Sequence, residues 1–269
     1  MKVGITALVI PSSLGLDETL AALKRDGYEA LELALRDDGY FSMATSDAGI
    51  AEIRRKAAAA GIAITSVCPA MRKGRPDVMT ADAAARRASI ATITEIMRRT
   101  RAAGADTMLL VLGSLTPTLY YDEAYRNALR SLRKLAPVAE DMGVRIAVEY
   151  VWNKFLLSPL EFARFLDEVD SPNVGFYFDP GNMAIFGYPE HWVRILGRHL
   201  MAVHMKDFKR EGAKWPPLLE GDVDFRAVMA ELRRIGWDGP LVSEVSPDAA
   251  SHAETAVAIR KIMALGPSP

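Results

Sequence analysis

Four side chains able to bind a metal or move a proton stand at or near the ends of apolar runs. Glu149 closes "RIAVE", Asp179 closes "GFYFD", His204 lies near the end of "MAVHMKD" and Glu244 near the end of "PLVSEVS". A carboxylate at the tip of a buried strand is costly unless something pairs with it. Three carboxylates gathered around one imidazole would repel each other, and a divalent cation removes that conflict. Three oxygen donors and one nitrogen suit a hard or borderline ion. Mn²⁺ is the expected one, with Mg²⁺, Co²⁺ or Zn²⁺ as alternatives. Taken singly, each residue has a plainer reading: a strand-end carboxylate caps a helix, and a lone histidine is a satisfied core residue. The same kind of group on four successive strands favours the metal.

These groups can meet only if four strand ends share one rim. Short runs rich in Val, Ile and Leu alternate with longer amphipathic stretches along the whole chain. The runs predict buried parallel strands at Lys2–Thr6, Ala30–Leu33, Ala63–Val67, Thr107–Leu112, Arg145–Tyr150, Val174–Asp179, Met201–Lys206 and Leu241–Val245. Helical patterns fall between them at Glu18–Arg25, Asp47–Ala60, Ala81–Ala103, Tyr121–Met142, Pro159–Val169, Pro189–Gly197, Phe225–Ile235 and Ala249–Leu265. Several end in a glycine suited to a left-handed cap, as in "RDGY" and "AAGI". The fold class is therefore α/β, a single-domain (β/α)₈ TIM barrel over 1–269, with the barrel in 1–265 and a frayed tail at 266–269. A doubly wound open sheet would want a glycine-rich phosphate loop, and neither GxGxxG nor GxxxxGK[ST] occurs.

The totals agree with that reading. The chain has 269 residues, half of them hydrophobic, which is ordinary for one barrel. Lys and Arg number 33 against 34 Asp and Glu, for a net charge of −1, so no nucleic-acid or membrane partner is expected. Cys68 is the only cysteine and reads as a small buried thiol in a reducing compartment. No apolar stretch approaches the length of a membrane span and no signal-peptide layout is seen, so a cytoplasmic location is expected.

The stretches "VEYVWNKFLLSPLEF", "YFDPGNMAIFGYPEHWVRILG", "VHMKDF" and "LLEGDVDFRAVMAELRRIGWDGPLVSEV" resemble the xylose-isomerase-like barrel superfamily of sugar-phosphate isomerases and epimerases. The likeness is nearest to its ketose and L-ribulose/L-xylulose-phosphate 3-epimerase branch. It is strong over Val144–Val245 and reduces to barrel rhythm in the first half. It implies a metal site at Glu149, Asp179, His204 and Glu244, a sugar or sugar-phosphate substrate, and a homodimer or homotetramer. One departure bears on the substrate. Epimerases of free ketoses commonly carry a sugar-contacting histidine three residues after the strand-six aspartate, and here that residue is Asn182. An asparagine can hydrogen-bond a hydroxyl but does not titrate.

The chemistry this implies is removal of a proton beside a carbonyl, an enediolate stabilised by the metal as Lewis acid, and return of a proton to the opposite face. The resemblance assigns the proton transfers to Glu149 and Glu244, leaving Asp179 and His204 as mainly structural ligands. Lys206, two positions after His204, shares its inward face and is read as a site residue or a rim salt bridge. Arg210 matches the position of a substrate-contacting arginine in ketose epimerases, with a solvated loop charge as the alternative. Asn153 and Lys154 are placed to reach a distal hydroxyl or phosphate, or simply the surface. Trp152 is read as a pocket wall, and the loop "KREGAKWPPLLEGDVD", with Trp215 at its centre, as a lid or pocket edge. Glu32, in "ALEL", is read as closing strand two, where it orients a catalytic group or contacts an N-terminal helix. Trp192 and Trp237 are read as packing, and His191, His199 and His252 as surface or helix-end residues.

Two other enzyme classes share the expected barrel. A dehydratase of the inosose or dehydroshikimate type would use the same enolate to expel a hydroxyl. An endonuclease IV-type nuclease would need three zinc ions, further histidines and a basic face, against which stand four histidines and a neutral balance of charge. A catalytically silent sugar-binding protein would have no use for both Glu149 and Glu244.

Overall fold

The computed structural model describes residues 1–266, so the expected frayed tail is described only at Gly266 and otherwise lies outside the described residues. Eight parallel strands close into one barrel in chain order: β1 (Val3–Thr6), β2 (Ala30–Leu35), β3 (Ala63–Pro69), β4 (Thr107–Leu110), β5 (Arg145–Glu149), β6 (Val174–Phe178), β7 (Leu200–Met205) and β8 (Leu241–Ser243). β8 pairs back to β1 with Val3 opposite Leu241, which leaves no free edge. Nine α-helices are found among the described residues: α1 (Leu16–Asp26), α2 (Asp47–Ala60), α3 (Ala83–Ala102), α4 (Tyr121–Met142), α5 (Pro159–Val169), α6 (Pro180–Ala184), α7 (Pro189–Leu196), α8 (Phe225–Arg234) and α9 (His252–Ala264). None of them is long and apolar enough to cross a membrane.

Local chemistry sets the element ends. Ser46, Asp82, Ser158, Asp224 and Ser251 each accept from a backbone N–H of the first turn they cap, and Gly61 closes α2 in the left-handed conformation. Ser251 and Glu254 form a reciprocal capping box, so α9 starts at His252 rather than at Ala249 as its pattern predicts. β2 runs two residues past the expected Leu33 because Ala34 and Leu35 are also buried. One helix goes beyond the pattern. Pro180 stops β6 but is also a favourable first helical residue, and with Asp179 as cap it starts α6 at once.

The side chains separate into two layers, as alternation along each strand requires. The larger cluster fills the space between sheet and helices, with Phe162, Phe165, Phe176, Phe178 and Trp192 among its members. A smaller one inside the barrel joins Cys68, Leu109, Ala147, Tyr177, Met201 and Ala202. The buried thiol reading of Cys68 and the packing role of Trp192 agree with this. Above the small inner cluster, on the same inward rows, stand Glu149, Asp179, His204 and Glu244.

β6 and the start of β7 approach each other closely at Gly175. A Cβ there would lie 2.3 Å from the His199 carbonyl oxygen and 2.7 Å from Met201 Cε. Gly175→Ala is therefore expected to lower the unfolding free energy by about 1–3 kcal/mol in denaturant titration. An unchanged midpoint would show that the strands can part there freely.

Candidate metal centre and active-site cavity

β5, β6, β7 and β8 bring one group each to the C-terminal mouth of the barrel. Glu149 is the last residue of β5, Asp179 and Glu244 follow β6 and β8 directly, and His204 is next to last in β7. One candidate ligand atom from each of the four lies within 4.8 Å of those of the others. His204 Nδ1 is 3.4 Å from Glu149 Oε1 and 3.5 Å from Glu244 Oε2. Among the described residues this is the one such cluster of His, Cys, Asp and Glu.

Asp179 carries both of the readings open to a strand-end carboxylate. Its Oδ1 accepts from Asn182 N at 3.1 Å and caps α6. Its Oδ2 is buried and meets no hydrogen-bond donor, the nearest cation being Lys206 Nζ at 4.0 Å. An orphaned carboxylate oxygen aimed at two more carboxylates and an imidazole nitrogen is what a hard divalent cation would satisfy. The residues present therefore fit such an ion. Burial, with Glu244 and Glu149 beside it, pushes the Asp179 carboxyl up to about 7 against the pull of Lys206 and His204.

Glu32 turns out to be the anchor of the histidine. It lies in mid-strand rather than at the end of β2, and it is not among the residues that line the cavity. Fully buried, its Oε1 lies 2.9 Å from His204 Nε2, while Ser66 Oγ and Tyr177 OH both donate to its Oε2 at 2.8 Å. Burial works against the Glu32 carboxylate, but His204 and the hydroxyl donors outweigh it and hold the group below its usual range. An ionised Glu32 fixes the imidazole with Nε2–H donating backwards and Nδ1 facing the cluster. Glu32 thus stands behind the ring, apart from the residues that line the cavity.

Glu149 and Glu244 are driven in opposite directions. Burial raises Glu149, only partly offset by His204. Burial would raise Glu244 as well, but Lys206 and His204 overcome it and leave it lowered. Lys206 Nζ donates to Glu244 Oε2 at 3.1 Å. It also sits 4.7 Å from the ring centre of Trp215 and 5.7 Å from that of Trp152. Burial disfavours its ammonium, yet Asp179, Glu244 and Glu149 hold it above its usual range. The site and salt-bridge readings of Lys206 are one arrangement.

Above the cluster opens a cavity of about 660 Å³, lined in part by Glu149, Trp152, Asn153, Asn182, Lys206 and Glu244. Asn182 Nδ2 donates to the Tyr150 carbonyl at 3.2 Å and to Glu149 Oε1 at 3.4 Å. Asn153 Nδ2 donates to the Gly113 carbonyl at 2.8 Å. The side-chain oxygens of both amides are buried without a donor. Trp152, which lines the cavity, stacks on Trp215 with centres 5.3 Å apart. Two expected contacts are elsewhere. Lys154 is exposed and outside the lining. The Arg210 guanidinium turns outward to the Gly187 carbonyl at 2.9 Å and lies against Tyr188, held there because Asp222 fixes its backbone N–H.

Sequence patterning misses two contributors. Asp207 accepts from the backbone N–H groups of Phe208, Leu219, Gly221 and Val223, so the loop after β7 is pinned in place. A carboxylate directly after Lys206 on a strand end is the available signal. The loop between β3 and α3 borders the cavity with Arg72, Arg75 and Asp77. His191, His199 and His252 stay outside the cluster; His199 Nε2 is 3.1 Å from Asp167 at the surface. Replacing Glu32 by Gln is expected to weaken Mn²⁺ binding roughly 10- to 100-fold, read by calorimetry or by the electron paramagnetic resonance of free Mn²⁺. Undiminished affinity would remove Glu32 from the account.

Comparison with known proteins places the chain. The family model described as "Xylose isomerase-like TIM barrel" matches residues 20–262. An L-ribulose 3-epimerase from Methylomonas sp. is 27% identical over 252 residues, covering 87% of this chain and 79% of that one. An uncharacterized protein from Methanocaldococcus jannaschii is 28% identical over 131 residues, which is 46% of this chain and 45% of that protein. Among solved structures, the D-psicose 3-epimerase of Clostridium cellulolyticum H10 with D-tagatose superposes with a TM-score of 0.82 at 19% identity, covering 100% of both chains, and so shares the fold. With the family model spanning nearly all of the barrel, this chain belongs to the xylose isomerase-like TIM barrel family.

Proposed function

We propose that this protein is a divalent-metal-dependent epimerase of a ketose or ketose phosphate, inverting the carbon at position 3. The observation that carries the reading is the pair Glu149 and Glu244. They come from β5 and β8, flank the same imidazole nitrogen, and are biased towards opposite protonation states. Two carboxylates pushed apart in this way are suited to act as acid and base in one reaction.

Glu149, Asp179, His204 and Glu244 would hold the ion, with Mn²⁺ the expected metal. Bound there, it supplies Lewis-acid stabilisation to the negative charge that forms on a carbonyl oxygen when the adjacent carbon loses its proton. The remaining work falls to side chains. Glu244, kept ionised by the Lys206 ammonium, takes the proton from one face. Glu149, whose neutral form burial favours, returns one from the other, and the roles exchange for the reverse reaction. Asn182 and Asn153 line the cavity and would hydrogen-bond sugar hydroxyls, and Trp152, backed by Trp215, would cover an apolar face of the sugar and keep water from the carbanion.

The test is proton NMR in D₂O with Mn²⁺ and a panel of ketoses, ketose phosphates and inososes. The expected result is deuterium at the carbon beside the carbonyl together with a new epimer. Glu149→Gln and Glu244→Gln should each lower the epimerisation rate by roughly 10²-fold or more. Near-normal turnover by either variant contradicts the assignment, and an unsaturated product with loss of water would make the enzyme a dehydratase.

A further inference from the structure

We propose that the substrate carries an anionic group, a phosphate ester or a carboxylate, away from its reacting carbonyl, and that Arg72 and Arg75 bind it. The inference rests on the cavity being a sugar site, and it goes further by assigning the charge of the sugar.

Both guanidiniums belong to the segment between β3 and α3 and line the cavity from the side away from β6 and β7. That segment is built, not loose. Met71 and Pro76 are buried on either side of the pair, and Gly74 makes the turn between them at φ +66°. The Asp37 carboxylate accepts from the backbone N–H groups of Arg72 at 3.1 Å and Lys73 at 3.2 Å. Further along, Asp77 N donates to Ser89 Oγ at 3.0 Å, Asp77 Oδ1 accepts from Met79 N and Thr80 N at 2.9 Å, and Val78 N donates to the Leu112 carbonyl at 2.9 Å. The two side chains are thus presented from a pinned turn.

Neither guanidinium meets a carboxylate or a carbonyl among the described residues. Other arginines of the barrel wall and its loops are engaged: Arg36 on the carbonyls of Leu8 and Ile10, Arg99 on Glu95 and Thr45, Arg210 on Gly187. The Asp37 and Asp77 carboxylates beside this turn accept from backbone amides rather than from the pair. Two guanidiniums on the cavity wall with no carboxylate or carbonyl partner favour an anion over a neutral group. Their charge is felt inside the cavity: burial raises the Cys68 thiol, which also lines it, Glu32, Glu149 and Glu244 raise it further, and Arg75 opposes them. A neutral sugar would leave both guanidiniums unpaired, whereas a sugar with one anionic end is held and oriented by them.

The test separates charge recognition from proton transfer by using unreactive polyols. Binding of ribitol, ribitol 5-phosphate and ribonate to the full-length Mn²⁺-loaded protein would be measured by calorimetry. The same titrations would be run on Arg72→Ala, Arg75→Ala and the double variant, with Mn²⁺ affinity as the check that the barrel is intact. One anionic polyol is expected to bind roughly 10- to 100-fold tighter than ribitol, and that advantage should vanish in the double variant and shrink with added salt. Which anion wins identifies phosphate or carboxylate as the group. Equal binding of all three, or an anion preference that survives the double substitution, overturns the inference while leaving deuterium exchange, and with it the epimerase reading, to stand on its own result.

Discussion

Carboxylates crowded at one end of a barrel are the constraint on which the rest of this structure depends. Glu32, Glu149, Asp179 and Glu244 share a water-poor space with one imidazole and one ammonium. Like charges this close in low dielectric are expensive, and the chain answers with specific pairings. Glu32 is neutralised by His204 and two hydroxyls, Glu244 by Lys206. Asp179 and Glu149 are left under-compensated, their carboxyls pushed upward, and Asp179 keeps one oxygen with no donor. The deficit is local and lies where the other groups converge. A divalent cation would complete the set.

The loops extend that logic from the floor to the rim. Asp207 gathers four backbone amides and so sets the β7–α8 loop, which brings Trp215 onto Trp152 and over Lys206. The lysine is consequently held by carboxylates from below and by indoles from the side. Across the cavity, a second carboxylate-pinned turn carries Arg72 and Arg75. The strands therefore supply the candidate reacting groups, while aspartates that accept backbone amides supply the shape of what surrounds them.

Much of this is legible in the sequence, for identifiable reasons. Eight apolar runs separated by amphipathic ones leave a closed barrel as the economical fold, and a period of two along the strands places Glu149, Asp179, His204 and Glu244 on its inner face. The four come together as that pattern requires. What stays hidden depends on contacts between distant segments. No local pattern links Glu32 to His204, because the register of β2 against β7 across the barrel interior is a property of closure. Arg210 departs from expectation for a related reason: the resemblance to ketose epimerases puts it on the substrate, but Asp222 and the Gly187 carbonyl hold it elsewhere. Pro180 reads from the sequence as a strand stop alone, whereas under an aspartate cap the same residue also starts α6. The basic turn "MRKGRP" carries no periodic signal, and its place on the cavity appears only once β3 and α3 are packed.

The central claim is that a divalent cation is held by Glu149, Asp179, Glu244 and His204 Nδ1, with Glu32 fixing the ring from behind. A crystal structure of the protein grown with Mn²⁺, phased at the manganese edge, tests it most directly. The account predicts one anomalous peak in contact with Nδ1, with the Asp179 oxygen that does not cap α6, and with Glu149 and Glu244, while Nε2 remains on Glu32. A peak on the Nε2 side, a metal bound away from these four residues, or none at saturating Mn²⁺ would contradict it.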